Sequence, residues 1–152
     1  MQEKEYSVQI RDLSVQFSTT DGVVHAINGI DLDIEKGKTL GLVGETGAGK
    51  TTTALSILRL IPDPPGEITG GTILLDGKNI FEYSLQEMED IRGDYVSMIF
   101  QDPMTSLNPV MSVGEQIDEV ILLHQKVNKK EAMVRAPAIL ELVGLPRQRA
   151  PQ

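Results

Sequence analysis

The sequence predicts an α/β fold in which an antiparallel β annex leads into a strand–loop–helix unit and then into a helical tail. Three observations carry this prediction. Apolar and polar residues alternate between residues 6 and 17, a period of two that is typical of a half-buried strand. A glycine-rich loop at residues 44–51 joins a short apolar segment to a helical pattern. Capping residues at helical spacing then recur along the rest of the chain.

The composition is that of a globular domain. The chain has 152 residues, of which 40% are hydrophobic and 24% are charged. It contains no cysteine, which excludes a disulfide framework and cysteine-based metal sites. The polar start is unlike a signal peptide, and no apolar run approaches the roughly 20 residues that span a bilayer. A net charge of −8 opposes nucleic acid and anionic lipid, so an anion site here must be positive locally.

Two β-hairpins and two further strands are predicted. Asp21-Gly22 turns the first hairpin and Asp76-Gly77 turns the second. The apolar segment before the glycine-rich loop is expected to be a buried strand, and so is a second apolar segment after the hairpins. The predicted strands are 6–17, 23–27, 31–35, 39–44, 72–75, 78–81 and 95–100.

Four helices are predicted from apolar spacing and from start and stop signals. The first begins at the glycine-rich loop and is ended by Pro62. The other three begin at capping boxes, in which Ser or Asn is followed three residues later by Glu. Pro137 lies inside the last helix and is expected to kink or break it. The predicted spans are 50–61, 84–93, 112–125 and 128–144.

Residues 44–51 read Gly-Glu-Thr-Gly-Ala-Gly-Lys-Thr, which is the P-loop pattern. The glycines let consecutive N–H groups turn inward into an anion-binding nest at a helix N-terminus. Lys50 adds a positive charge for the β- and γ-phosphates, and the Thr51 hydroxyl is placed to ligate Mg²⁺. A glycine-rich turn with an incidental lysine is the alternative. The strand before the loop and the helix after it favour a nucleotide phosphate site.

Three further features narrow the class of nucleotide-binding protein. Phe17 ends an early strand, Gln101 follows a later one, and residues 99–109 read Ile-Phe-Gln-Asp-Pro-Met-Thr-Ser-Leu-Asn-Pro. With the P-loop, these features make the chain resemble ABC ATPases, and more specifically the ATP-binding subunits of oligopeptide, dipeptide and nickel importers. The resemblance covers residues 8–145 and is most specific at 41–53 and 99–117. It implies a P-loop NTPase fold of the ABC type.

The resemblance implies a role for each matching residue, with ATP and Mg²⁺ as ligands. Phe17 matches the aromatic residue that stacks on adenine, although a strand aromatic is otherwise expected to be a half-buried packing residue. Gln101 matches the Q-loop glutamine, which contacts Mg²⁺ and the attacking water. Thr51 and Gln101 are therefore the implied metal ligands. The other implied nucleotide-binding residues are Gly44, Glu45, Thr46, Gly47, Ala48, Gly49, Lys50 and Thr52.

The resemblance also implies a domain organisation and partners. Residues 1–100 would form the β annex and P-loop core, 101–111 the Q-loop, 112–145 the start of a helical subdomain, and 146–152 a tail that does not match. The groove after Gln101 would receive a helix of a permease subunit, which would hold the protein at the cytoplasmic face of the membrane. A second ATP-binding subunit would complete a head-to-tail dimer. No nucleic-acid partner is expected.

Several patterns imitate other motifs. Asp76 follows an apolar run as a Walker B carboxylate does, but Gly77 after it favours a hairpin turn. The glycines at 69–71 faintly resemble the ABC signature but precede Gln101. The run at 128–131 is close to a guanine-binding motif but serves better as a helix cap. His124 lies in an apolar helix, where packing is expected rather than catalysis.

A true Walker B with its catalytic glutamate, the signature and the switch histidine are absent from the sequence. In the family they follow the point at which this chain stops, so a truncated domain is expected. The main hypothesis is the ATP-binding subunit of a peptide-type importer. The alternative is a non-hydrolysing nucleotide-binding or interaction fragment. An ABC ATPase of DNA repair or chromosome maintenance is disfavoured by the net charge of −8 and by the segment at 102–109.

Overall fold

The computed structural model describes residues 5–102 and 106–151. These residues form two compact units that divide between Val96 and Ser97. The first unit contains a β-sheet with three short helical segments, and the second is helical. None of the described helices combines the length and the apolar character of a bilayer span.

The first unit is built on a four-stranded antiparallel sheet in the order β2-β1-β3-β4. Its strands are β1 (Tyr6–Thr19), β2 (Gly22–Glu35), β3 (Gly66–Leu75) and β4 (Lys78–Asn79). In the register of the central strand, Ile10 lies opposite Leu32 of β2 and Ile73 of β3. Both predicted hairpins are confirmed, because β1 pairs with β2 and β3 pairs with β4 through the expected turns.

The core of this unit lies on one face of the sheet. Ile10, Leu13 and Val15 of β1 are fully buried, and a register shift between Ile10 and Leu13 interrupts the period of two. These side chains pack against β3 and the helical segment that follows the second hairpin. The buried members of the cluster are Ile10, Leu13, Val15, Ile27, Ile73, Leu75, Ile80 and Met88.

Three short helical segments complete the first unit: α1 (Lys50–Ile57), a 3-10 turn (Ile80–Glu82) and α2 (Leu85–Ile91). The helix α1 ends earlier than the predicted stop at Pro62. Arg59 adopts a left-handed backbone with φ of 50°. The Leu60 N–H then bonds to the Leu55 carbonyl and the Arg59 N–H to the Ser56 carbonyl. This is the Schellman arrangement, which closes a helix without proline.

The second unit contains α3 (Val113–His124), α4 (Lys129–Leu142) and a 3-10 turn (Arg147–Arg149). Both helices begin at the predicted capping boxes, as α2 does at Ser84. The sequence predicts that Pro137 kinks or breaks α4; it does not break it, because the helix runs through it, and a kink there stays a prediction. Ala132, Ala136 and Leu140 are buried at intervals of four residues. The burial of this stripe holds the helix together despite the hydrogen bond that proline removes.

The predicted strands at 39–44 and 95–100 are not formed. Val43 and Ile99 are more than nine-tenths exposed, and neither segment belongs to a ladder. An apolar strand of this kind needs a neighbour on each side. Within the described residues, no strand other than those of the antiparallel sheet is available to pair with either segment.

Candidate functional site

The glycine-rich loop leads into the N-terminus of α1, as the sequence predicts. Gly49 is the residue before the helix and adopts a left-handed backbone with φ of 82°. Gly47 is also left-handed, with φ of 84°. Residues with a Cβ are strained in this region, so the two glycines allow the tight path of the loop.

The loop is seated on β2 through Gly49. A Cβ at this position would lie 2.7 Å from the Ala26 carbonyl oxygen and 3.4 Å from the Ile27 side chain. Ile27 belongs to the buried core. The missing side chain therefore lets the helix N-terminus lie directly on the sheet, which fixes the loop relative to the core.

Thr53 holds the same turn from inside the helix. Its side chain is buried, and its hydroxyl donates to the Gly49 carbonyl at 2.9 Å. Its backbone N–H donates to the same oxygen at 2.8 Å. The motif does not include residue 53. The signal in the sequence was the run of three threonines after Lys50. The one that is buried in the fold, Thr53, anchors the turn from inside the helix.

Lys50 closes the loop. Its Nζ donates to the carbonyl oxygens of Gly44 and Glu45, both at 2.6 Å. The Ala48 N–H also donates to the Glu45 carbonyl, at 3.2 Å. The ammonium group therefore lies beside the start of α1, whose first N–H groups lack partners within the helix.

The electrostatics of this site favour an anion. The first turn of α1 contains no acidic residue, so no carboxylate of that turn neutralises the positive end of the helix dipole. Lys50 adds a full positive charge, and the Thr51 side chain is exposed at the first turn. Thr52 is half-buried, and its carbonyl accepts from the Ser56 hydroxyl at 2.8 Å. Glu45 and Thr46 lie in the exposed part of the loop.

Phe17 lies on the same sheet as the seat of the loop. It is half-buried on β1, opposite Val24 and Gly66. The neighbouring core residue Val15 pairs with Ile27, so Phe17 lies about 7 Å further along the strand from the loop's seat. A Cβ at Gly66 would lie 2.7 Å from Cε1 of the Phe17 ring. The ring therefore packs closely on β3, and its stacking on adenine stays a prediction.

Gln101 belongs to the second unit, in an irregular and exposed stretch. Its approach to the P-loop and to Mg²⁺ therefore also stays a prediction. Residues 103–105 of the distinctive segment lie outside the described residues. The end of that segment is fixed to α3, because Gln116 accepts from the Asn108 N–H at 2.9 Å and donates to the Met111 carbonyl at 3.2 Å.

A cavity of about 590 Å³ opens beside α3 in the second unit. Its lining combines three apolar side chains with four charged ones. It is lined by Met111, Glu115, Asp118, Glu119, Leu122, Leu123 and Lys129. It lies in the part of the chain where the resemblance implies a groove for a permease helix.

Asp76 is a turn residue. It occupies the second hairpin turn with φ of 43°. Its carboxylate accepts a hydrogen bond from the Tyr95 hydroxyl and lies 3.6 Å from Lys36 Nζ. A hydrogen bond to Glu5, with the nearby charge of Asp76, raises the pKa of Lys36. These contacts favour the hairpin interpretation of Asp76 over Walker B.

Neither histidine forms part of a metal site. His25 is exposed on β2, and His124 is half-buried in the last turn of α3. Across residues 5–102 and 106–151, no group of three or more His, Cys, Asp or Glu side chains could hold a metal ion.

The chain is similar to proteins of peptide transport. A family profile described as ABC transporter matches residues 27–151. The oligopeptide transport ATP-binding protein OppD of Bacillus subtilis is 49% identical over 91% of this chain and 39% of that protein. The dipeptide transport ATP-binding protein DppD of the same organism is 46% identical over 95% of this chain and 42% of that protein. The oligopeptide transport ATP-binding protein OppD of Escherichia coli is 42% identical over 97% of this chain and 43% of that protein.

The chain therefore spans about two fifths of the length of these curated relatives. Among solved structures, it is similar to the ATP-binding cassette MJ0796 in a dimeric, post-hydrolysis state bound to ADP and Pi. The TM-score is 0.79 at 20% identity, over 95% of this chain and 60% of that one. This likeness confirms the predicted fold class.

Proposed function

Because this chain belongs to the ABC transporter family, we propose that it is the P-loop part of an ATP-binding subunit that powers the import of peptides or similar solutes. One observation carries the proposal. The loop at 44–51 is seated on the sheet through Gly49 and closed by Lys50, beside a helix N-terminus without acidic residues. Relatives named as oligopeptide and dipeptide transport ATP-binding proteins support the solute class.

Each part of the site would bind a different part of ATP. The free N–H groups at the start of α1 would bind the phosphate oxygens. Lys50 would exchange its two carbonyl partners for the β- and γ-phosphates. The Phe17 ring would stack on adenine, with little discrimination between bases, because stacking tolerates any base.

Thr51 and Gln101 would hold Mg²⁺, and the residues at the loop fit such a group. The exposed Thr51 hydroxyl adjoins Lys50, and oxygen donors are the ligands that Mg²⁺ prefers. When bound, Mg²⁺ would neutralise part of the phosphate charge. Gln101 would orient the water that attacks the γ-phosphate, as its match to the Q-loop implies.

Hydrolysis coupled to transport is proposed for the whole protein, of which this chain corresponds to about two fifths. The partners would be permease subunits, received in the cavity beside α3, and a second ATP-binding subunit in a head-to-tail dimer. The dimeric state named for MJ0796 supports the second of these. The protein would thus lie peripherally on the cytoplasmic face of the membrane, with no nucleic-acid partner.

A second candidate function is nucleotide binding without hydrolysis. The observation that favours it is the use of Asp76 in a hairpin turn, where its carboxylate contacts Tyr95 and Lys36. Phosphoryl transfer needs Mg²⁺ held from two sides and a positioned water. For this chain alone, we therefore propose binding of ATP with turnover at background.

Calorimetric titration with Mg-ATP, Mg-GTP and adenosine tests the proposed function. We expect both triphosphates to bind with similar affinity and adenosine to bind weakly. Equal binding of adenosine and ATP would refute the phosphate site. Release of phosphate is measured in the same samples, and steady turnover would exclude the second candidate.

A further inference from the structure

Two arginines hold the end of α1 that lies opposite the P-loop. Arg92 donates from Nε to the Leu58 carbonyl at 2.8 Å and from Nη2 to the Arg59 carbonyl at 3.0 Å. Arg59 donates from Nη1 to the Tyr83 carbonyl at 2.8 Å and to the Ile80 carbonyl at 3.3 Å. All four hydrogen bonds are partly buried. They satisfy carbonyl groups at the end of α1 and at Tyr83, and they add a second donor to the Ile80 carbonyl, which also accepts from the Tyr83 N–H at 3.4 Å.

Arg59 occupies a backbone position that glycine usually fills. Its φ of 50° is left-handed, and it is the residue that closes the Schellman turn. A glycine would end the helix there without strain. The arginine side chain instead reaches two carbonyls of the segment before α2. Position 59 therefore joins α1 to that segment as well as ending the helix.

Arg92 begins a second hydrogen-bonded turn. Its own N–H donates to the Met88 carbonyl at 3.0 Å. The N–H groups of Tyr95 and Val96 both donate to the Ile91 carbonyl, at 2.9 and 3.1 Å, and Gly93 donates to the Val96 carbonyl at 2.9 Å. The side chain of Arg92 thus connects α1 to the turn at 91–96, which leads along the chain toward Gln101.

The helix between the two sites is short. Eight residues of α-helix span about 12 Å. A helix of this length behaves as a rigid element, and the closing turn at Leu58 and Arg59 is tied to it by the hydrogen bonds to the Leu55 and Ser56 carbonyls, so restraint of its first turn also restrains the carbonyls of that closing turn. The Arg92 guanidinium, called here the Arg92 fork, donates to those carbonyls from two nitrogen atoms held in one plane. The single ammonium group of a lysine cannot reproduce this geometry.

We propose that Arg92 is a positioning residue that couples phosphate binding at the P-loop to the order of the turn at 91–96. The proposal rests on the proposed function, because it needs a triphosphate at residues 44–51. Binding holds the N-terminus of α1, and the Arg92 fork carries this restraint to the turn. By linkage, the turn's order also strengthens nucleotide binding.

The test is amide hydrogen exchange by NMR on the whole chain, with and without saturating Mg-AMP-PNP, a non-hydrolysable ATP analogue. The reporters are the amides of Tyr95 and Val96. In the wild type we expect the analogue to slow their exchange about fivefold, at the low end of typical coupling between sites. In Arg92→Lys, which keeps the charge but not the fork, we expect no slowing and an affinity about fivefold weaker.

The matched control is Arg11→Lys, which changes a half-buried arginine of β1 paired with Asp33 in the same unit. It should keep the wild-type response. A purely structural role for Arg92 would lower the melting temperature of Arg92→Lys but leave the slowing in place, and that result would overturn the proposal.

Two outcomes remain decisive even if Arg92→Lys does not fold. Wild-type chain that binds Mg-AMP-PNP by calorimetry, without slower exchange at Tyr95 and Val96, overturns the inference alone. Wild-type chain that does not bind the analogue at all refutes the proposed function, and the inference with it. Calorimetry on the wild type therefore separates the two failures.

Discussion

Thr53 makes two hydrogen bonds to the carbonyl oxygen of Gly49 at the base of the P-loop. Its hydroxyl donates to this oxygen at 2.9 Å and its backbone N–H at 2.8 Å. The hydroxyl is an anchor within the first helical turn, and it lies outside the phosphate-binding motif. Its removal leaves the oxygen with its backbone partner, so it should weaken the loop without orphaning a buried acceptor.

We predict that Thr53→Val destabilises the chain by about 1 kcal/mol, the usual net value of a hydrogen bond, and loosens ATP binding only slightly. Chemical denaturation measures the first effect and calorimetry the second. Thr51→Val is the matched control, because its side chain is exposed. That variant should keep its stability and lose the dependence of ATP binding on Mg²⁺. The reverse pattern in the two variants would contradict the assignment.

Lys50→Ala should weaken ATP binding about 100-fold, because it removes a charge-assisted contact to several phosphate oxygens. Calorimetry with Mg-ATP measures the loss. Lys130→Ala, in the first turn of α4, is the matched control and should bind as the wild type does. Unchanged affinity in Lys50→Ala would remove the basis for the phosphate site.

Gly49→Ala should lose nucleotide binding and stability together. A left-handed residue with a Cβ costs about 1 kcal/mol, and this Cβ would also meet the Ala26 carbonyl at 2.7 Å. Gly47→Ala should lose stability only through its left-handed backbone, because nothing lies within 4 Å of the Cβ that alanine would add. The difference in unfolding free energy between the two variants isolates the seat on β2. Equal values would show that the loop can lift off β2 freely.

Gln101→Ala should largely spare ATP binding by this chain, because Gln101 lies outside the phosphate loop and would contribute only one ligand to Mg²⁺. In a full-length subunit that contains this sequence, the same change should impair transport. Calorimetry on the chain and solute uptake by the complete transporter are the two measurements. Normal uptake would reduce Gln101 to an ordinary exposed loop residue.

The capping box of α3 should make stability depend on acid pH. Hydrogen bonds from the Ser112 N–H and then from its hydroxyl lower the pKa of Glu115 below the ordinary 4.5. A lowered pKa in the folded state stabilises the chain above the unfolded value, and this contribution is lost as pH falls through the folded value. The loss should therefore occur as pH falls below about 4.5.

Melting temperatures between pH 3 and 6 measure this effect. Glu115→Gln keeps an acceptor for the cap but does not titrate, so part of the acid-induced decline should disappear. Glu119→Gln, one helical turn later and outside the box, should decline as the wild type does. Identical pH profiles for all three chains would contradict the capping interpretation.

Local signals predicted most of this fold. The alternation in β1, the turns at Asp21 and Asp76, and the three capping boxes each depend on a few neighbouring residues, and all are confirmed. The P-loop was predictable for the same reason, because its glycines, its lysine and its helix start are contiguous.

The remaining features depend on distant partners. The segments at 39–44 and 95–100 have strand composition, but a strand also requires a neighbour with which to pair. The early end of α1 is a left-handed turn at Arg59, where the sequence has no glycine to signal it, and the side chains of Arg59 and Arg92 bond there to groups more than 20 positions away. Pro137 continues α4 because burial of its neighbours outweighs one lost hydrogen bond.

The two carbonyl bonds of Lys50 have a consequence for selectivity among ions. Any anion that approaches the loop competes with the oxygens of Gly44 and Glu45, each 2.6 Å from the ammonium group. A monovalent ion such as chloride offers one weak, non-directional contact in exchange for two good hydrogen bonds. A triphosphate offers several oxygens and more charge, so the exchange favours it. We therefore expect the loop to favour a triphosphate over a monovalent anion through its own backbone, without a side chain dedicated to that choice.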